Sequence, residues 1–126
     1  MSTKARILLV DDHDLVRTGI RNLLNESPDW TVCGEAADGK EAIEQVLELK
    51  PDLLVIDVSM PVMNGIEATK QIRRLSPQTK VIILSMHDSK QIREQAQQAG
   101  AHGYVVKTST ATELNNAIRD VLEART

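Results

Sequence analysis

Acidic, hydroxyl and amine side chains stand at the ends of four short apolar runs in this 126-residue chain. They are Asp11, Asp12, Asp57, Ser85 and Lys107. Any one of them alone would be read as a helix cap, a turn residue or a solvated surface lysine. All of them fall at the same relative place, immediately at the end of an apolar run, and chance seldom produces such a set. We therefore expect them to form one site.

Three carboxylates in one site need positive charge nearby, because like charges at short range repel one another and oppose folding. Mg²⁺ can supply it, since this ion takes oxygen ligands and accepts a partly hydrated site with one or two carboxylates. Lys107 can neutralise one carboxylate directly. A magnesium ion, a carboxylate, a lysine and a hydroxyl are the equipment for phosphoryl transfer, in which the cations stabilise charge on the phosphoryl oxygens.

Five apolar runs alternate with five segments of helical period. The runs that we expect to be strands are residues 5–11, 30–36, 53–57, 80–85 and 103–106. This alternation predicts an α/β flavodoxin-like (βα)5 fold, a doubly wound five-stranded parallel sheet of order 2-1-3-4-5 with helices on both faces. In that order, ligands bind beyond the carboxyl ends of strands 1 and 3. The predicted site lies at that edge.

Apolar stripes and capping residues predict the helices. The stripes are Val16, Ile20, Leu23 and Leu24; Ile43, Val46 and Leu47; Ile66, Ile72 and Leu75; Ile92, Ala96 and Ala99; and Leu114, Ala117, Ile118, Val121 and Leu122. We expect Asp14 and Asp38 to cap the first two helices, and Thr110 with Glu113 to form a capping box for the fifth. Gly100 suits the left-handed position that ends the fourth.

Composition indicates one soluble globular domain, with 41% hydrophobic and 26% charged residues and a formal net charge of -3. This charge argues against direct binding of DNA or an anionic membrane by the domain. The apolar runs are too short for a membrane span or a signal peptide, and the Met1-Ser-Thr-Lys start is typical of a cytosolic protein, so we expect a cytoplasmic location. Cys33 is the only cysteine and is expected to be a buried, inert thiol.

Over essentially its whole length the chain resembles the receiver domains of bacterial two-component response regulators. The matching pieces are Ile7-Leu-Leu-Val-Asp-Asp-His13, Leu53-Leu-Val-Ile-Asp-Val-Ser-Met-Pro-Val-Met-Asn-Gly65, Ile82-Ile-Leu-Ser85 and Gly103-Tyr-Val-Val-Lys107. The residues around Asp11-Asp12 and Asp57 resemble the NarL/FixJ subfamily, whose members usually carry a helix-turn-helix DNA-binding domain after the receiver. The resemblance implies a receiver over residues 1–126, with any DNA-binding output domain beyond Thr126.

The resemblance also implies a role for each matching residue of the acidic site. Asp57 would accept a phosphoryl group from a sensor histidine kinase or a phosphotransfer protein. Asp12 would bind Mg²⁺ directly, Asp11 mainly through water, and the backbone carbonyl of Ser59 would complete the protein ligands. Lys107 would contact a phosphoryl oxygen and Asp57. Such a domain catalyses only its own phosphorylation and dephosphorylation, and is not an enzyme acting on a separate substrate.

For the switch, the resemblance implies that Ser85 moves toward the attached phosphoryl group and that Tyr104 follows by changing rotamer. The surface of the fourth helix, fifth strand and fifth helix would then change. A phosphorylation-dependent homodimer could use this surface or helices 1 and 5, and the sequence leaves both open.

The chain departs from the common receiver pattern at three positions. Thr108 follows Lys107 where many receivers have a cis proline, Ser85 stands where threonine is commoner, and Met86 stands where a small residue is frequent and could crowd the pocket. In the loop after Asp57, we expect Pro61 to restrict the chain and Asn64-Gly65 to supply residues that tolerate positive φ.

Other functions fit the residues less well. A haloacid-dehalogenase-type hydrolase would place its nucleophile in an Asp-x-Asp pattern after the first strand, and this chain has Asp11-Asp12-His13 there. Ser85, His87 and Asp88 are too close in sequence for a hydrolase triad, and a zinc site at His13 lacks a second nearby histidine. The alternative that stays open is a stand-alone phosphorelay carrier or interaction module without a DNA-binding output.

Overall fold

The computed structural model, which describes residues 4–108 and 111–123, has five strands that alternate with five helices. The strands are β1 (Ala5–Val10), β2 (Trp30–Ala36), β3 (Leu53–Asp57), β4 (Lys80–Ser85) and β5 (Gly103–Val106). The helices are α1 (Asp14–Asn25), α2 (Gly39–Leu49), α3 (Gly65–Leu75), α4 (Lys90–Gln98) and α5 (Ala111–Glu123). All strand pairs are parallel, in the order β2-β1-β3-β4-β5. The predicted flavodoxin-like fold is confirmed.

The sheet is covered on both faces, which is why its central strands are continuously apolar. Successive residues of a strand point to opposite faces, so Ile7 and Leu9 pack with α1 and α5 whereas Leu8 and Val10 pack with α2, α3 and α4. All four side chains are fully buried. No helix in the part of the chain that the structure describes is long and apolar enough to cross a bilayer.

The buried faces of α2 and α3 differ from the predicted stripes. Leu47 and Leu75 are each 50% exposed, whereas Ala42 and Ala68 are fully buried. Both helices lie close to the sheet, and a small residue permits that approach where a leucine would not. The spacing of apolar residues therefore predicted the helices, but side-chain size determined which of their residues face the sheet.

The predicted cap of α2 is confirmed, and that of α1 is wrong. The Asp38 carboxylate accepts a hydrogen bond of 2.8 Å from the amide of Glu41. In α1 the N-cap is His13, which makes no side-chain cap, and Asp14 lies in the first helical turn, where its carboxylate binds Arg17 at 2.8 Å. The helix begins one residue earlier than the cap prediction required.

Helix ends further along the chain agree with the sequence where the structure describes them. Gly100 has a φ of 101° directly after the C-cap of α4, as expected of a glycine in this position. Thr110 lies outside the described residues, so the capping box with Glu113 stays a prediction. Cys33 is only partly buried, at a register shift between β1 and β2, and burial raises the pKa of its thiol.

Lys50 ends α2 in a left-handed conformation with a φ of 49°. A residue with a Cβ is strained there, and glycine is not. The carbonyls at this helix end are already bound by Arg6, whose Nη1 donates to the Leu49 carbonyl at 2.6 Å. The lysine side chain is therefore not needed to satisfy them.

We predict that Lys50→Gly raises the free energy of unfolding by about 0.5–1 kcal/mol, because it relieves the positive-φ strain and loses only a weak charge interaction with the helix end. Urea denaturation followed by circular dichroism measures the change. Glu44→Gly, at an exposed position inside the same helix, is the matched control and should lower stability by about 1 kcal/mol. Destabilisation by both variants would contradict the strain argument.

Candidate functional site

The acidic residues meet because β1 and β3 are neighbours in the sheet. Val10 pairs with Ile56, so Asp11 and Asp57 continue two adjacent strands at the same edge. Both carboxylates are almost fully buried. The amide of Asp11 still donates to the Ala36 carbonyl of β2 at 3.1 Å. The backbone of a regular sheet thus carries two like charges into the protein interior.

Lys107 lies between the two buried carboxylates. Its ammonium is 2.8 Å from Asp11 Oδ2 and 3.0 Å from Asp57 Oδ2, and its side chain is only 5% exposed. The position follows from the sheet, since the Lys107 amide donates to the Ser85 carbonyl at 2.7 Å and so extends the pairing of β4 with β5. The predicted grouping of Asp11, Asp57 and Lys107 is present in the structure.

The electrostatics of this group follow from burial and charge pairing. Burial raises the pKa of Asp57, the Lys107 ammonium opposes that rise, and the Asp11 carboxylate adds to it. Burial alone would lower the pKa of Lys107, but the contacts with Asp11 and Asp57 outweigh it and leave that pKa raised. The lysine is therefore charged at neutral pH, and one cation faces two buried carboxylates.

Asp12 and His13 complete the acidic cluster on its more exposed side. His13 Nδ1 lies 3.1 Å from Asp11 Oδ1 and 3.1 Å from Asp12 Oδ1. Ligand atoms of these three residues and Asp57 all lie within 4.8 Å of one another. The sequence analysis assigned no role to His13. Its position directly after Asp11-Asp12 was the feature that could have placed it near these carboxylates.

The donor set fits a hard divalent cation. Oδ2 of Asp11 and Oδ2 of Asp57 are buried and share one cation, the Lys107 ammonium, at 2.8 Å and 3.0 Å, and the buried Oδ1 of Asp12 lies 3.1 Å from His13 Nδ1. Two buried carboxylates that share a single ammonium leave an excess of negative charge, which is costly unless a further cation binds them. An all-oxygen set of this kind suits Mg²⁺ better than a soft metal. Asp11, Asp12 and Asp57 are thus compatible with magnesium binding.

The loop from β3 to α3 closes over this edge in a way the sequence did not predict. Asn64 is the N-cap of α3, with a φ of -72°, and Val62 is the residue with positive φ, at 68°. The Met63 amide donates to the Pro61 carbonyl at 2.7 Å, a γ-turn around Val62. Neither Asn64 nor Gly65 adopts the positive φ that its residue type tolerates, and Val62 adopts it instead.

Gly65 is required for a different reason. A Cβ at this position would collide with the main-chain carbonyl of Asp57. The glycine therefore allows α3 to start directly against the end of β3. Ser59, earlier in the same loop, donates its amide to Asp57 Oδ1 at 3.3 Å and so lies beside the carboxylate.

Ser85 and Tyr104 are joined by one main-chain carbonyl. Ser85 Oγ donates to the carbonyl of His87 at 3.0 Å, and Tyr104 Oη donates to the same carbonyl at 2.8 Å. The Arg93 guanidinium lies over the Tyr104 ring, 4.4 Å from its centroid. The two residues that the sequence analysis linked as a switch thus share an acceptor, and Ser85 bonds the backbone of His87 and not its imidazole.

The structure shows the conformation at two positions, Met86 and Thr108, where the sequence departs from the common receiver pattern. Met86 is 54% exposed and extends toward solvent. The Lys107–Thr108 bond is trans, since no cis peptide bond occurs among the described residues.

Comparisons with known proteins agree with this geometry. The family model of the response regulator receiver domain matches residues 7–119. The chain is 43% identical over 116 residues to the uncharacterized transcriptional regulatory protein YxjL of Bacillus subtilis, covering 92% of this chain and 53% of that protein. A LuxR-family two-component response regulator from Aurantimonas sp. SI85-9A1 superposes with a TM-score of 0.93 at 42% identity, over 98% of this chain and 88% of that one.

A signal receiver domain of Mycobacterium tuberculosis that bears the name NarL is equally similar in structure, with a TM-score of 0.93 at 37% identity, over 98% of this chain and all of that one. The chain belongs to the response regulator receiver family. Within it, the chain is a receiver of NarL/FixJ type. It spans about half the length of the curated relatives it matches, between 51% and 56%.

We predict that Asp57→Asn stabilises the metal-free protein at neutral pH by about 1 kcal/mol. The substitution removes a buried charge and its repulsion with Asp11, while Lys107 keeps Asp11 as its partner. Because the folded-state pKa of Asp57 is raised above the ordinary 3.8, the advantage is full above that raised pKa. It shrinks as pH falls through it and disappears below 3.8.

Urea denaturation in EDTA at several pH values measures the effect. Asp120→Asn, on the exposed surface of α5, is the control and should change stability by less than about 0.5 kcal/mol. A destabilised Asp57→Asn protein without metal would sink this account.

Proposed function

We propose that Asp57 accepts a phosphoryl group, with Mg²⁺ bound by Asp11, Asp12 and Asp57, and that this modification switches the domain. One observation carries the proposal. One buried lysine and two buried carboxylates, with Asp12 beside them, converge at the carboxyl ends of neighbouring parallel strands, so that negative charge exceeds positive charge there. Structural carboxylates at such an edge would be expected to cap helices, and neither Asp11 nor Asp57 caps one.

In the proposed reaction an Asp57 oxygen forms the new P–O bond. The P–N bond of a phosphohistidine on the donor breaks, and the departing nitrogen takes up a proton. The Lys107 ammonium, 3.0 Å from Asp57 Oδ2, stands where negative charge on the phosphoryl oxygens can be stabilised. When bound, magnesium would supply further charge neutralisation. The backbone carbonyl of Ser59 is proposed as the remaining protein ligand.

The proposed switch follows from the shared carbonyl of His87. Ser85 Oγ has to leave that carbonyl if it is to donate to a phosphoryl oxygen. The carbonyl then keeps Tyr104 as its donor, and the loop between β4 and α4 is free to shift with the tyrosine. A local change of charge would thus reach the surface of α4, β5 and α5.

We further propose that the donor is a sensor histidine kinase or a phosphotransfer protein and that the domain acts in the cytoplasm. An output domain beyond Thr126 would control transcription, since the matched relatives are about twice as long and include proteins named as transcriptional regulators. The receiver itself would make no direct contact with DNA. A phosphorylation-dependent homodimer is part of this proposal. A stand-alone phosphorelay carrier remains the second candidate.

The labelling experiment tests the acceptor. With Mg²⁺ and acetyl phosphate, the protein should gain the mass of one phosphoryl group, and the adduct should be labile to hydroxylamine, as an acyl phosphate is. Mass spectrometry should find no gain in Asp57→Ala or in EDTA, and an unchanged gain in Asp120→Asn. Retained labelling of Asp57→Ala would show that another residue is the acceptor.

The switch has its own test. Beryllofluoride with Mg²⁺ mimics the phosphoryl group, and we expect it to perturb amide NMR signals of residues 85–108 more than those of residues 43–49. The reason is that the first segment holds Ser85, His87 and Tyr104, whereas the second lies in α2. Ser85→Ala should bind the mimic and lose most of the perturbation at Tyr104. An unperturbed 85–108 segment in wild-type protein with bound mimic would contradict the coupling.

A further inference from the structure

Arg17, in the first turns of α1, reaches three acceptors that come from different parts of the chain. Its Nη1 donates to the main-chain carbonyl of Asp11 at 2.6 Å, its Nε to Glu35 Oε1 at 3.0 Å, and its Nη2 to Asp14 Oδ1 at 2.8 Å. The side chain is only 18% exposed. A guanidinium in this position ties the start of α1 to the ends of two strands.

Glu35 is held firmly enough to act as an anchor. It pairs with Leu9 in the register of β1 and β2. Its second carboxylate oxygen accepts a hydrogen bond of 2.9 Å from Arg21, and its main-chain carbonyl accepts one of 2.6 Å from Gln45 Nε2. The carboxylate therefore has little freedom, and Arg17 is bound to a fixed point of the sheet.

The contact with the Asp11 carbonyl is the one that concerns the site. The Asp11 amide makes the last hydrogen bond to β2, and the chain then leaves the sheet. The Asp11 carbonyl belongs to the peptide that joins Asp11 to Asp12, so its orientation helps set the direction of both side chains. Arg17 holds this peptide without touching either carboxylate group of the pair.

We infer that Arg17 is a positioning residue for the metal-binding pair Asp11 and Asp12, acting through the Asp11 carbonyl and anchored by Glu35. This inference rests on the proposed function of the site. Arginine suits the role because its planar fork donates in three directions at once and stays charged at all relevant pH values. Lysine has one ammonium at the end of a flexible chain and cannot hold all three acceptors in the same geometry.

The chain offers a matched control in Arg21. Arg17→Met and Arg21→Met each remove one arginine from Glu35, but only Arg17→Met removes a donor from the Asp11 carbonyl. Mg²⁺ affinity is measured by NMR titration of the 126-residue chain. We expect Arg17→Met to raise the Kd for Mg²⁺ about tenfold, the scale known for groups that orient metal ligands. Arg21→Met should stay within about twofold, because the Asp11 contact is kept.

The concentration dependence of labelling separates positioning from a direct part in the reaction. In Arg17→Met, the Mg²⁺ concentration for half-maximal labelling by acetyl phosphate should rise by the same factor as the Kd. The labelling rate at saturating Mg²⁺ should stay within about twofold of wild type. Arg17→Lys should give an intermediate Kd, and Glu35→Gln should give a smaller rise than Arg17→Met, since it weakens the anchor and keeps the Asp11 contact.

Several outcomes would overturn the inference. An Arg17→Met Kd within twofold of wild type would do so, as would an equal rise in Arg21→Met, which would indicate a general effect of the ion pairs. Should Arg17→Met not fold by circular dichroism, Arg17→Lys and Glu35→Gln decide in the same way. Wild-type protein that neither binds Mg²⁺ nor becomes labelled would refute the proposed function itself, an outcome separate from failure of the Arg17 variants.

Discussion

The contact of Lys107 with Asp11 and Asp57 is the constraint on which the site depends. Two carboxylates are carried into the interior by strands that are otherwise apolar, and burying one of them unpaired would cost several kcal/mol. The lysine compensates only part of this charge, because one ammonium faces two buried carboxylates. This edge of the sheet therefore holds more negative than positive charge. Binding of a cation or attachment of a transferred group would change that charge strongly.

Rigid surroundings convert that local imbalance into a change elsewhere. The strands are packed on both faces, so little can yield within the sheet. The loop after β4 can move. Its His87 carbonyl accepts hydrogen bonds from both Ser85 and Tyr104, so a change in one of these bonds alters how the loop is held. Helix α4 beyond it is anchored in the core by Ala96 and contributes few large apolar side chains. A shift in this part of the molecule costs less than one in the sheet.

The edge strand β2 contributes more than its sequence indicates. It brings no catalytic group to the site, yet Glu35 near its end binds Arg17 and Arg21 of α1. These contacts join α1 to the sheet beside the acidic loop. The positions of Asp11 and Asp12 thus depend on side chains that belong to neither of the strands flanking the site.

The sequence by itself determined the βα alternation, the strand order and the grouping of Asp11, Asp57 and Lys107. Those properties follow from local periodicity and from the rule that parallel strands end at one edge. Only the tertiary structure decided that Leu47 is exposed, that Val62 takes the positive φ, and that Arg17 meets Glu35, 18 residues away. Such contacts depend on strand register, on how closely helices approach the sheet and on rotamers, none of which a local pattern specifies.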